Sequence, residues 1–269
     1  MNGYDKGLEQ QLLAVANELA DVARKATIAY FRKDDLLADS KETARFDPVT
    51  AADRASEEAM REVLARRRPD DGILGEEYGR SEGTTGFTWV LDPIDGTRSF
   101  LSGTPTWGVL IGLKQGSRVV LGVIDQPYIG ERFVGGFGEA YVEGPFGKRI
   151  LKARSARPLD EAIIFSTFPE VGTEVEGRAF HQLATRTKLT RYGLDCYAYG
   201  LIAIGQIDLV VEAGLHAYDV VAPIGVIEAA GGIVTDWKGR PAADGGRILA
   251  AANAEIHAAA LGILKDAPE

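Results

Sequence analysis

Apolar residues near the start of the chain recur at three- and four-residue steps: Leu8, Leu12, Val15, Leu19, Val22, Ala26 and Tyr30. That spacing predicts an amphipathic helix over residues 8–31. A polar loop, KETARFDP, then runs into DPVTAADRASEEAMREVLARRR (47–68), a second helix with Thr50 as its N-cap and Asp53 as the capping partner three residues on. Arg66, Arg67 and Arg68 close that helix before Pro69, where the helix dipole favours cations; this accounts for the triplet better than an RNA site does. The period then changes. A short strand is predicted ahead of GEEYG (75–79), a polar loop over GRSEGTTG, and a strand at TWVL. Residues 107–142 read as an antiparallel meander (WGVLIGLK, RVVLGVIDQPY, ERFVGGFG, EAYVEG) separated by turn signals.

From about residue 152 strands and helices alternate. AIIFST, LTRYG, IDLVVEA, GIVTD and ILAAAN read as strands. EGRAFHQLATRT, DCYAYGLIAIGQ and YDVVAPIGVIEAAGG read as helices, the last closed by glycines, and a further helix ends the chain. The pattern divides the chain into an α+β half, residues 1–151, and an α/β half, residues 152–269.

Composition narrows the function. The 269 residues carry a net charge of −9, which argues against a general binder of nucleic acid or anionic membrane, since such proteins bind through Lys and Arg. A small phosphorylated substrate stays open, because bound cations reverse local charge. One cysteine, Cys196, excludes an intrachain disulfide and suits a reducing compartment. The N-terminus lacks the uninterrupted apolar segment of a signal peptide, and no run approaches a membrane span, so the expectation is a soluble cytoplasmic protein.

Carboxylates gather where strands end and helices begin: Asp47, Asp53, Glu76, Glu77, Asp92, Asp95 and Asp219. In WVLDPIDGTRSF (89–100) a buried strand would deliver Asp92 at its end, and Pro93 would turn the chain so that Asp95 returns toward it. Gly96 permits close approach, and Thr97 to Phe100 can begin a helix whose free N–H groups attract an anion. Two carboxylates held together repel unless a cation or proton lies between them, and an all-oxygen donor set suits Mg²⁺. An Asp-capped turn explains these residues equally well. By default Asp219 is a helix N-cap, Asp47 a turn former, and Glu76–Glu77 a solvated loop.

Four blocks in order, DPVTAAD (47–53), GEE (75–77), WVLDPIDGTxxF (89–100) and YDVxAxxxVIEAAGG (218–232), resemble the inositol monophosphatase family over essentially the whole chain. The resemblance implies a layered αβαβα sandwich, a homodimer, and lithium-sensitive hydrolysis of phosphate monoesters with two or three Mg²⁺ ions. It implies that Glu76, Asp92, Asp95, Asp219 and the carbonyl of Ile94 are metal ligands, with Asp92 bridging. Asp47 and Thr97, with Glu76, would serve catalysis by orienting the attacking water, and the Gly96 and Thr97 N–H groups would hold phosphate. One ion would activate that water and another would stabilise the leaving alkoxide in an in-line displacement.

The short stretch from Glu77 to Asp92 leaves no room for the insertions of bisphosphatase-type relatives. SFLSGTPTWGVLIGL (99–113) and YGLDCYAYGLIAIGQIDLVVEAGLHAYD (192–219) are similar to the histidinol-phosphate phosphatase branch. Asp195 stands where inositol enzymes carry a small neutral residue, and Tyr218 where they carry Trp. Glu212 stands where the family contacts the alcohol portion of the substrate. Asp195 and Glu212 together would suit the ammonium of histidinol phosphate, yet they could equally accept hydrogen bonds from inositol hydroxyls, and Asp195 could be one more N-cap. Other readings are an inositol-1-monophosphatase, a broad small-monoester phosphatase, or an RNA-metabolism regulator on the same fold. The histidines (His181, His216, His257) lack zinc spacing, and neither G-x-S-x-G nor a P-loop occurs. GGFGEAY reads as a glycine-rich turn, and Cys196 as core.

Overall fold

The computed structural model describes residues 4–33, 38–40 and 48–268, with 38–40 and 48–49 described by backbone alone. Helix α1 spans Lys6–Ile28, its first N–H groups taken by the Asp5 side chain. Its buried face carries Leu12, Val15 and Leu19, as the spacing predicts, together with Ala16, Ala20, Ala23 and Thr27, while Leu8, Val22 and Ala26 are only partly buried. Two short strands, β1 (Ala38–Ser40) and β2 (Pro48–Thr50), pair antiparallel ahead of α2 (Ala51–Arg67). Thr50 and Asp53 form the expected capping box. The arginines close the helix by pairing Arg67 with Glu18 and Arg68 with Asp71.

The chain continues through β3 (Gly72–Gly75), β4 (Gly79–Ser81), β5 (Phe87–Asp95), the short helix α3 (Thr97–Leu101), β6 (Gly108–Gln115), β7 (Arg118–Gln126), β8 (Glu131–Gly136), β9 (Glu139–Gly144) and β10 (Gly147–Ile150). The second half holds β11 (Ile163–Ser166), α4 (Glu174–Ala184), β12 (Leu189–Tyr192), α5 (Tyr197–Ala203), β13 (Leu209–His216), α6 (Ala217–Ala229), β14 (Ile233–Thr235), β15 (Gly245–Ala251) and α7 (Ala254–Leu264). Among the described residues the strands form an eight-stranded sheet, ordered β10-β9-β8-β7-β6-β5-β3-β4, and a five-stranded sheet, ordered β12-β11-β13-β15-β14.

Five layers result, α1/α2, large sheet, α5/α6, small sheet, α4/α7, which is the αβαβα sandwich. Each sheet buries apolar residues on both faces, so its strands read as apolar runs more than as strict alternation. Four strands escape the sequence pattern. Gly79–Ser81, expected as loop, pairs with β3; Pro48–Thr50, expected as the lead-in to α2, pairs with β1; and β1 and β10 have too few apolar positions to signal a strand. Among the described residues no helix is long and apolar enough to cross a membrane.

Helix α6 is apolar all round from Val220 to Ile227 because it lies between the two sheets. Its close approach rests on a glycine row across three strands, Gly112 facing Gly122 and Gly122 facing Gly135. A Cβ on Gly122 would lie 2.1 Å from the Ala222 carbonyl oxygen, and one on Gly225 2.5 Å from the Gly122 nitrogen. Backbone meets backbone there, with no flexible side chain to give way. Gly122→Ala is therefore expected to cost about 2–3 kcal/mol in urea unfolding. Unfolding at the wild-type midpoint would show that α6 can slide outward freely.

Candidate active site

The apolar run Trp89–Leu91 is buried in the middle of the large sheet and carries β5 to Asp92, itself 2% exposed. Here the structure differs from the expected proline turn. β5 continues to Asp95, and its register against β6 slips: Asp92 faces Leu110 and Asp95 faces Gly108, so three steps on one strand match two on the other. The extra residue makes a β-bulge, and Pro93, lacking an N–H, sits where a ladder bond is lost anyway. Within the bulge the Ile94 N–H donates to Asp92 Oδ1 (3.0 Å) and the Thr97 hydroxyl donates to the Ile94 carbonyl (3.2 Å). The bend re-aims Asp95 to the same side as Asp92.

Asp219 arrives from the opposite direction, on the first turn of α6. It is not the N-cap. His216 holds that position, and Asp219, three residues on, accepts the His216 N–H at 2.6 Å as the return half of a capping box. One carboxylate oxygen from each of Asp92, Asp95 and Asp219 lies within 4.8 Å of the others. Glu76, in the β3–β4 turn, is bound through its own N–H to the Leu91 carbonyl (3.2 Å), and its carboxyl lies in hydrogen-bonding contact with Asp92.

Negative charge is concentrated among these carboxylates. Burial, followed by the charges of Glu76, Asp95 and Asp219, pushes the Asp92 carboxyl well above its ordinary range. Burial, then Asp195, Asp219 and Glu212, does the same to Asp95. Asp219 is pushed up to about 7, chiefly by burial, with the His216 N–H pulling the other way. A small hard cation would relieve all three at once, and an all-carboxylate and carbonyl donor set matches Mg²⁺, Mn²⁺ or Ca²⁺ rather than zinc. The residues present fit such an ion.

Gly96 follows the bulge with φ 84° and starts α3. A Cβ on it would lie 2.6 Å from Asp195 Cγ, so glycine here serves both the backbone angle and the packing of Asp195. Asp195 is not a helix N-cap: Cys196 occupies that place, without a side-chain cap. Asp195 itself takes φ 47° and accepts the hydroxyls of Ser99 (2.5 Å) and Thr106 (3.1 Å), both on Oδ2. Burial raises its carboxyl and the two hydroxyls oppose the shift. Glu212, on β13, accepts the Thr167 N–H (2.9 Å) and hydroxyl and the Tyr199 hydroxyl (2.6 Å), and burial raises its pKa as well. Cys196 is buried as expected, but it also belongs to the site, its N–H donating to Asp95 Oδ2 at 2.6 Å.

Asp47 lies outside the described residues. Asp53, read from sequence as a capping partner and one of the clustered carboxylates but given no role in the site, is 1% exposed, and burial with the charges of Glu76 and Glu77 raises its carboxyl to about 7. Its appearance in the first turn of a helix facing GEE was the available signal. Glu57 was not singled out at all; it is buried beneath the β3–β4 turn.

The sequence profile of the inositol monophosphatase family matches residues 8–269. The chloroplastic bifunctional phosphatase IMPL2 of Arabidopsis thaliana is 38% identical over 259 residues, covering 92% of this chain and 73% of that one. A histidinol-phosphatase of Chlorobaculum parvum is 35% identical, covering 90% and 92% respectively. The solved structure of an inositol monophosphatase from Zymomonas mobilis is 37% identical, with a TM-score of 0.84 over 97% of this chain and 100% of that one. A profile match from the first helix to the last residue, a shared sandwich and a carboxylate cluster at its heart agree: the chain belongs to the inositol monophosphatase family and is a phosphatase.

Proposed function

We propose that this phosphatase hydrolyses L-histidinol phosphate with Mg²⁺ as its cofactor. The observation that carries the substrate is Asp195, a second acidic group packed on Gly96 and close enough to Asp95 to raise its pKa. Because both hydroxyl bonds fall on Oδ2, Oδ1 is the oxygen that would meet a substrate ammonium. Similarity to a histidinol-phosphatase supports the reading.

In this reading Asp92, Asp95, Asp219, Glu76 and the Ile94 carbonyl hold the ions. When bound, these would supply charge neutralisation at the phosphate and lower the pKa of the attacking water. The N–H groups of Gly96 and Thr97 would orient the phosphate. The Thr97 hydroxyl, fixed on the Ile94 carbonyl, would help place the water with Asp47. Asp53, with a carboxyl pKa of about 7, is suited to accept a proton near neutral pH. Glu212, with Asp195, would line the leaving-group side, although three donors already occupy its carboxylate.

Purified enzyme with Mg²⁺ is expected to show kcat/KM for histidinol phosphate at least tenfold above that for inositol 1-phosphate or a nucleoside monophosphate. The reverse ranking would overturn the substrate. Asp195→Ala should lower kcat/KM about tenfold for the cationic substrate, the worth of one charge-assisted bond, and markedly less for inositol 1-phosphate. Equal losses on both would exclude ammonium pairing.

A further inference from the structure

The turn that carries Glu76 has three residues between β3 and β4, and each of its N–H groups has an acceptor. That of Glu76 goes to the Leu91 carbonyl (3.2 Å), one residue before Asp92. The next two, of Glu77 and Tyr78, go to the two oxygens of a single side chain, Glu57 of α2, at 2.7 and 3.2 Å. Glu57 is fully buried, and Arg61 one turn later donates to its Oε1 at 2.7 Å. The same guanidinium reaches the Gly79 carbonyl and the Ser81 hydroxyl on the far side of the turn. Gly75 makes room: a Cβ there would lie 1.9 Å from Glu57 Oε1.

We infer that Glu57 is a positioning residue of the metal site, fixing the direction of the Glu76 carboxylate by holding the two amides that follow it. The inference rests on the reading of Glu76 as a metal ligand. A carboxylate accepting two backbone N–H groups makes strong, directional bonds, and a turn anchored at all three amides fixes the backbone from which the Glu76 side chain reaches Asp92. Groups that orient a ligand in this way change metal affinity by about 10–100-fold when replaced. The neighbouring Glu58, exposed on the same helix, has no such contact to offer.

A double-mutant cycle on the full-length enzyme tests this, with Mg²⁺ affinity read by displacement of terbium luminescence, independent of turnover. Glu57→Gln keeps the shape but turns one acceptor into a donor, and should weaken Mg²⁺ binding about 10–100-fold. In a Glu76→Gln background, where nothing remains to position, the same change should add less than about threefold. Equal losses in both backgrounds, or none in either, would overturn the role of Glu57. Should Glu76→Gln alone leave Mg²⁺ affinity intact while Glu57→Gln weakens it, the ligand reading of Glu76 fails instead. If circular dichroism shows Glu57→Gln unfolded, Arg61→Lys replaces it in the cycle. It keeps the carboxylate and loses the fork to Gly79 and Ser81, so a smaller loss that disappears in the Glu76→Gln background supports the role, and one that persists there overturns it.

Discussion

Asp92→Asn is expected to lower phosphatase activity at least about 10³-fold, equivalent to some 4 kcal/mol of lost transition-state stabilisation, and at the same time to make the metal-free protein more stable. Both effects follow from one carboxylate. Asp92 is 2% exposed, in contact with Glu76 and close to Asp95 and Asp219, so in the absence of a cation its charge is opposed from every side. Asparagine is nearly isosteric, and its Oδ1 can still accept the Ile94 N–H, so the bulge keeps its shape. The gain should be about 1–2 kcal/mol at pH 8 in EDTA, a rise of a few degrees in Tm for a chain of this size. At pH 5 the gain should shrink, because the wild-type cluster then carries protons. A variant that melts below wild type at pH 8 in EDTA would mean that Asp92 is held by contacts worth more than the repulsion it suffers.

That trade between stability and function also shows what the sequence could reveal. The order of strands and helices was legible because apolar runs such as Trp89–Leu91 and Val220–Ile227 cannot be left in water, whatever their neighbours, whereas the αβαβα layering was implied only by the family resemblance. The carboxylate cluster of Asp92, Asp95 and Asp219 was legible as a set of residues and less so as a shape. D-P-I-D-G reads locally as a proline turn. Whether Asp95 stays on the strand depends on its pairing with Gly108, a partner chosen thirteen residues later by the register of β6. Asp219 illustrates the same limit on a smaller scale: a displacement of three residues converts an N-cap into the closing carboxylate of a capping box, and only the start of α6 decides between them. Asp195 was flagged by type, but its left-handed φ and its seat on Gly96 arise from the meeting of two segments about a hundred residues apart. Glu57 and Glu58 are identical neighbours in sequence, and only the packing of α2 on β3 separates a buried clamp from a solvated charge.

Raising the pH from 5 to 8 in EDTA is expected to destabilise the protein, and Mg²⁺ is expected to reverse this at pH 8 while doing little at pH 5. The sign is fixed by the direction of the shifts. Asp53 and Asp219 have folded-state pKa values of about 7 against 3.8 in an unfolded chain, and Asp92 and Asp95 are also raised. Between those values the folded chain holds protons that the unfolded chain has released, so stability falls as pH rises through the window. A shift of that size has a ceiling of roughly 4 kcal/mol per group at pH above 7. Summed over a cluster that shares its protons, a fall in Tm on the order of 5–10 °C is expected. Glu176 and Asp236, whose carboxyls are lowered by their arginine and N–H partners, contribute in the opposite sense, but below about pH 4.5 and therefore outside the window. His257, lowered by burial, opposes the trend near pH 6, as a single group against the cluster. Mg²⁺ at a hundred times its Kd contributes about 2.7 kcal/mol through mass action alone. That term requires ionised ligands, so it is available at pH 8 and suppressed at pH 5, where binding must first displace protons. Differential scanning calorimetry at the two pH values, with EDTA and with Mg²⁺, measures all four corners. Equal stabilisation by Mg²⁺ at both would place the binding ion away from the Asp92, Asp95 and Asp219 carboxylates, whereas a shift confined to pH 8 ties the ion, the protons and the fold to the same cluster.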